Sequence, residues 1–370
     1  MGQPDVIVIG GGVVGAACAH ALAHRGVAVT ILEPGPEAGA ATPAAAGMLA
    51  PFAEAQPDDP MLSLAIRARD LYAELVPALE EETGLEVGFR TEGIAQLAVT
   101  SDDVETIKEA VTWQRQAGFP VEWLSVEEVR ELLPGVGPDV LGAGLAPEDG
   151  ALDPSALRLA LLECAQRPHH GATLIAEPAQ QILFEGERVS AVRTPSRTLS
   201  SDAVVVAAGC WSGRIRGLPR SLPVEPVRGQ ILCLTWPEGE PSAIVYAGRG
   251  YVMERGGEAI AGSTMERVGF DASTTPDGII RIRETVTRIY PALATAEPRR
   301  TWAGLRPVTP DSRPLIGLDP RVPNLWYATG HGRNGILLAA MTGQLIAQQY
   351  AGDEIEYDLA TVSPSRFWTS

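Results

Sequence analysis

The sequence predicts an α/β fold, α+β overall, with one parallel-sheet domain built from discontinuous segments and a second, inserted domain carrying a mainly antiparallel sheet. Three observations carry this. The chain opens on strand, glycine turn, helix and strand; its middle is rich in short β runs; its end returns to strand, glycine-rich turn and apolar helix. With 370 residues, 45% of them hydrophobic, it can bury a large core and is long enough for about two domains.

In chain order, residues 5–9 form a short apolar run, 14–24 a helix stopped near Gly26, and 27–32 a second run, together a βαβ unit. Leu71, Leu75 and Leu79 mark a helix that Pro77 is expected to bend or interrupt, and Val104, Ile107 and Val111 mark the packing face of another. Asp153 followed by Pro154 is an N-cap and first-turn pair for a helix carrying Leu157, Leu161 and Cys164, ending near the turn His169, His170, Gly171. Runs at 173–176, 189–192 and 203–208 read as strands, the last ending in small residues as a buried strand leading to a ligand would. ILCL, YVM and AIAG between 222 and 264 read as antiparallel strands, with Ile282, Val286 and Ile289 on one helix face. A strand at 325–328, the turn GHGRNG and a helix at 336–350 close the chain. The expected division is 1–85, 146–215 and 300–360 for the parallel-sheet domain, and 86–145 with 216–299 for the insertion.

Composition removes several function classes. Twenty-nine Lys plus Arg against 46 Asp plus Glu leave a net charge of −17, the wrong sign for a nucleic-acid binder. The one lysine, Lys108, lies on a helix face that reads as solvated, so neither a Schiff-base lysine nor a P-loop is available. Cys18, Cys164, Cys210 and Cys233 form no CxxC pair, so no metal site and no disulfide framework is expected, and a cytoplasmic setting fits. The apolar opening has Asp5 and no basic residue ahead of it, unlike a secretion signal. No apolar stretch reaches the roughly 18 residues of a membrane span.

Gly10, Gly12 and Gly15 give GxGxxG between strand and helix, which lets backbone approach a pyrophosphate at a helix N-terminus in a Rossmann-like unit. Glu33 ends the next strand, where a carboxylate binds ribose hydroxyls and disfavours a 2′-phosphate, leaving NAD and FAD open. The turn GHGRNG, running into an apolar helix, points backbone N–H groups at whatever precedes it, which suits a flavin edge or an ordinary strand-turn-helix.

VIGGGVVG with Glu33, AAAGMLAP at 44–51, VVVAAGCWSG at 204–213, YVMERGGEAIAGSTME at 251–266, WAGLRPVTPDSRPLIG at 302–317 and GHGRNGILLA at 330–339 together resemble the FAD-dependent D-amino-acid oxidase superfamily, within it the bacterial glycine oxidases of thiamine biosynthesis. The resemblance implies non-covalent FAD held at Val13, Val14, Glu33, Pro34, Ala41, Thr42, Ala46, Gly47 and Met48, besides the glycine motif. It implies further contacts at Ala179 and along His331, Gly332, Arg333, Asn334, Gly335, Ile336 and Leu337. It places Arg306 as the carboxylate-binding residue and Tyr251 as a hydroxyl donor to the same group, a role a planar guanidinium suits on chemical grounds. Arg333 reads either as a substrate contact or as structural, and Met265 either as pocket lining or as core. His331 is not expected to be a base, since the amine can bind neutral. Arg249, where a relative carries histidine, is expected over the site's mouth.

The implied reaction is FAD-dependent oxidation of glycine, with sarcosine and small D-amino acids as related substrates and O2 as acceptor, in a homo-oligomer (dimer or tetramer). The alternatives are an FAD-dependent D-amino-acid dehydrogenase, a sarcosine oxidase-like amine oxidase and a non-enzymatic dinucleotide-binding module.

Overall fold

A computed structural model describes residues 3–35, 39–53, 55–248 and 250–368. Its first sheet has six strands in the spatial order Leu315–Leu318, Leu325–Thr329, Ala203–Val206, Val6–Ile9, Val29–Leu32 and Thr173–Ile175. All neighbours are parallel except the first pair. Val6–Ile9, Val29–Leu32 and Ala203–Val206 are buried at every position, as strands covered on both faces must be. The helices Val13–Ala23 and Gly335–Ala351 follow two of these parallel strands. They lie backbone against backbone, for a Cβ on Gly343 would meet the Ala17 carbonyl oxygen at 2.4 Å. Both helix N-termini therefore open at the C-terminal edge of one sheet, where ligands of open α/β sheets bind.

The second sheet has eight strands, antiparallel apart from the pairing of Ile244–Ala247 with Ile94–Ala98. The helix Pro276–Ile289 lays Ile282, Val286 and Ile289 onto it, all buried. The longest strands, Glu225–Thr235 and Pro298–Val308, pair with Val227 opposite Arg306. The strand Pro298–Val308 was expected in the parallel-sheet domain from residue 300 onward, yet it completes the second sheet. It is also the seam between the two sheets: the Trp302 indole donates to the Ala44 carbonyl at 3.2 Å, and the Leu305 N–H to the Gly39 carbonyl at 2.8 Å.

Most expected elements are present at the expected positions. Asp153 accepts from the Ser155 and Ala156 N–H groups at 2.8 and 3.0 Å and caps Pro154–Ala165. Pro77 does not interrupt its helix, which runs Tyr72–Thr83. Lying within its second turn, it removes a single backbone bond, and the break from the preceding helix Leu62–Asp70 falls at Leu71 instead. Among the described residues no helix is long and apolar enough to cross a membrane.

Candidate active site

A cavity of about 790 Å³ runs from the N-terminus of the first helix, across the 41–48 segment, to the face of the second sheet. At one end backbone does most of the shaping. Gly10 takes φ +107°, and a Cβ on Gly15 would lie 1.9 Å from the Gly10 carbonyl oxygen, so the helix can start only against bare glycine. A Cβ on Gly12 would meet only Thr42 Oγ1, at 3.4 Å, so this face of the loop stays open to the cavity. Thr42 accepts the Val13 N–H at 3.0 Å and ties the 41–44 helix to the loop. One carboxylate oxygen of Glu33 accepts the Gly11 N–H at 2.6 Å, and the residue lines the cavity, where its other oxygen can accept from a ligand hydroxyl.

Every cofactor-contact residue expected from the sequence lines this cavity except Gly15, which packs beneath the loop against Gly10. Ala179 and residues 331–337 are part of the wall. Arg158, which sequence reasoning missed, reaches the same loop from the helix Pro154–Ala165, its guanidinium donating to the Gly11 carbonyl. Nothing in its helical pattern sets it apart. Ser155, Trp211 and Arg214 also line the wall and were likewise unforeseen.

At the other end side chains define the site. Arg306 is half-buried and donates to Ser263 Oγ at 2.8 Å and to the Thr264 carbonyl at 3.1 Å. A Cβ on Gly229, on the neighbouring strand, would sit 2.1 Å from Arg306 Nη1, so a glycine there makes room for the guanidinium. The acceptor segment is itself held by a buried network. Glu266 accepts from Arg228 Nε at 2.9 Å, Gln230 Nε2 at 2.8 Å and Thr264 Oγ1 at 3.1 Å. Burial works against the Glu266 carboxylate, but these donors outweigh it and keep its pKa below the ordinary value.

Tyr251 is buried on the strand Gly250–Arg255, its ring 5.8 Å from that of Tyr246. Burial pushes its phenol pKa up, while the nearby charges of Arg306, Arg333 and Arg255 and a hydrogen bond with Ser263 pull the other way. The hydroxyl therefore stays protonated, a donor among cations. Arg333 lines the cavity from the turn after Leu325–Thr329 and faces Tyr251 electrostatically. His331 is buried, with Nε2 2.9 Å from Thr342 Oγ1 and its pKa pushed down to about 3 by burial, so it is a neutral structural imidazole. Met265 is not part of the cavity wall: it is 55% exposed, with its sulfur 3.4 Å from Arg306 Nη1, and flanks the guanidinium from outside. Arg249 lies outside the described residues.

A cavity with a dinucleotide-type loop at one end and Arg306, Arg333 and the Tyr251 phenol at the other is the site of a dinucleotide-binding protein with room for a second, small ligand. The family model for FAD-dependent oxidoreductases (DAO) matches residues 5–349, and the chain belongs to that family. FAD is thus the cofactor, and the open Gly12 face, the half-satisfied Glu33 carboxylate and the cavity's length fit it. Glycine oxidase from Geobacillus kaustophilus is 33% identical over 366 residues, spanning 98% of this chain and 97% of its own length. The crystal structure of glycine oxidase from Geobacillus kaustophilus superposes with a TM-score of 0.93 at 32% identity, covering 99% of both chains. The bifunctional protein ThiO/ThiG of a Nostoc species is 38% identical over 353 residues, 93% of this chain, which spans about half, 52%, of that relative.

Proposed function

We propose that this enzyme oxidises glycine with O2 and water to glyoxylate, ammonia and H2O2. The observation that carries the reading is the convergence of Arg306, Tyr251 and Arg333 at one end of the FAD cavity, supported by near full-length similarity to glycine oxidases. FAD, when bound, would supply the two-electron acceptor for the substrate Cα–H bond, with O2 as the final oxidant. The protein's part is binding and orientation. Arg306 holds the glycine carboxylate through its guanidinium, and the Tyr251 hydroxyl donates a further bond to it. Two fixed contacts on the carboxylate leave Cα and the amine to point along the cavity. Because His331 is neutral and engaged with Thr342, no base is assigned. The amine binds in its neutral form, its ammonium proton released to solvent, so that hydride loss from Cα leaves an iminium and needs no protein base.

The imine product hydrolyses in water, or is drawn off for the thiazole of thiamine. The two-unit division follows the sheets, with the second unit extended to residue 308 to keep the strand Pro298–Val308 with its partners. A reducing, cytoplasmic setting is supported by four buried thiols, none in a disulfide. We further infer a homo-oligomer, read out by light scattering of the purified protein.

The test is product stoichiometry with purified holoenzyme. Glycine should give glyoxylate and H2O2 in equal amounts at the expense of O2, with sarcosine and D-alanine compared alongside. Turnover of a D-amino acid through a quinone or dye, with no H2O2 from glycine, would select the dehydrogenase reading instead.

A further inference from the structure

Far from the cavity, the ligand atoms of His24, Glu82, Cys164 and His170 all lie within 4.8 Å of one another. We propose that they form a binding site for a single divalent cation of the zinc and cobalt class, independently of the function proposed above. No metal-ligand spacing is visible along the chain because the residues come from four separate places. His24 ends the helix Val13–Ala23, Glu82 lies in the last turn of Tyr72–Thr83, Cys164 in the last turn of Pro154–Ala165, and His170 in the turn beyond it.

The hydrogen bonds around the cluster already orient its members. Nδ1 of His24 faces the His20 carbonyl at 3.0 Å, so the tautomer that donates there leaves the Nε2 lone pair turned toward Cys164 Sγ, 3.9 Å away. A backbone carbonyl on the second ring nitrogen is the usual support of a metal-bound imidazole. The His170 ring stacks on His24, and its Nε2 lies 3.6 Å from Glu82 Oε1. Glu82 Oε1 is shielded from solvent, with His169 Nε2 3.1 Å away as a competing partner that a cation would displace, and Oε2 accepts the Cys164 thiol proton at 3.0 Å. Arg167 binds the Glu82 backbone carbonyl at 2.7 Å and fixes that turn.

Two imidazoles, a thiol and a carboxylate are the donor set of four-coordinate zinc and cobalt, and too soft for magnesium or calcium. Tetrahedral zinc needs ligand atoms roughly 3.3–3.8 Å apart. The cluster must therefore contract by about an ångström, with the stacked His24 and His170 rings, now 3.7 Å apart at 26°, splaying so that both lone pairs converge. On binding, the cation replaces the Cys164 proton, which leaves to solvent. The cation would clasp the C-terminal ends of three helices, about 16 Å along the first helix from its cavity end.

The test uses chelator-treated, FAD-loaded enzyme. Zinc titration, by calorimetry or against a chromophoric chelator, should give one site per chain with micromolar affinity or better and a raised unfolding midpoint. Cobalt should add tetrahedral bands to the red of the flavin absorption. His24→Gln, at an exposed position, and His170→Gln should each weaken zinc binding by about tenfold or more, and Cys164→Ser should also alter the cobalt spectrum. Absence of a stoichiometric site overturns the proposal. So does zinc affinity that survives both histidine variants, or cobalt bands unchanged in Cys164→Ser.

Discussion

The two ends of the cavity are built from different materials. At the nucleotide end the constraint is steric and main-chain: glycines at 10, 12 and 15, a helix start, and a carboxylate anchored to an N–H. At the proposed substrate end the constraint is chemical: a guanidinium, a phenol and the polar network around them. A backbone site tolerates almost no added atom, whereas a side-chain site loses function in proportion to the contact removed. Substitutions should therefore separate the two ends by kind as well as by size.

The largest effect is expected at Gly15→Val, where a Cβ 1.9 Å from a carbonyl oxygen cannot be relieved by a rotamer. No folded protein should be recovered, and a native circular dichroism spectrum would contradict this. Gly12→Val should differ in kind, because its side chain enters the open cavity rather than the core. It should fold but purify colourless, and a yellow variant would show that the loop does not receive the pyrophosphate.

Next comes Arg306→Ala. Losing a charge-assisted bidentate contact should cost about 2–4 kcal/mol in kcat/KM for glycine, or roughly 30- to 1000-fold, with flavin retained. Unchanged kinetics would remove Arg306 from the site. A pH effect of about 2 kcal/mol should follow from His331. Its pKa falls from an ordinary 6.5 to about 3 on folding, so the unfolded chain takes up the proton first. That stabilisation is complete above pH 6.5 and is lost as pH falls from there toward 3; at pH 5 about 2 kcal/mol should be gone. Chemical denaturation of wild type and His331→Gln at pH 7 and 5 checks it, since the variant should lose less. The smallest effect is expected for Tyr251→Phe, which removes one hydroxyl donor, about 1 kcal/mol and roughly fivefold in KM.

The same contrast explains what could be read in advance. The βαβ opening and the closing turn were legible because glycine spacing and hydrophobic period are local signals. The Gly-x-Gly motif and Glu33, read from spacing alone, lie at one end of the cavity. Arg306 and Tyr251 come from strands far apart in sequence and were found only through a family resemblance. Arg158 was missed because an arginine on an amphipathic helix carries no mark of the loop it will touch. Met265 was read as pocket lining or as core, and the fold leaves it exposed beside the Arg306 guanidinium. Residues 300–308 were grouped with the parallel-sheet domain, although the hydrogen bonds of the strand Pro298–Val308 belong to the second sheet.

The central claim is that glycine, held by Arg306, reduces the bound FAD. The most direct measurement mixes purified holoenzyme with glycine under nitrogen and follows the visible flavin absorbance in the wild type and Arg306→Ala. Bleaching that air reverses is expected in the wild type, and in the variant only at glycine concentrations roughly 30- to 1000-fold higher. Wild-type flavin that dithionite bleaches but neither glycine nor sarcosine does would contradict it.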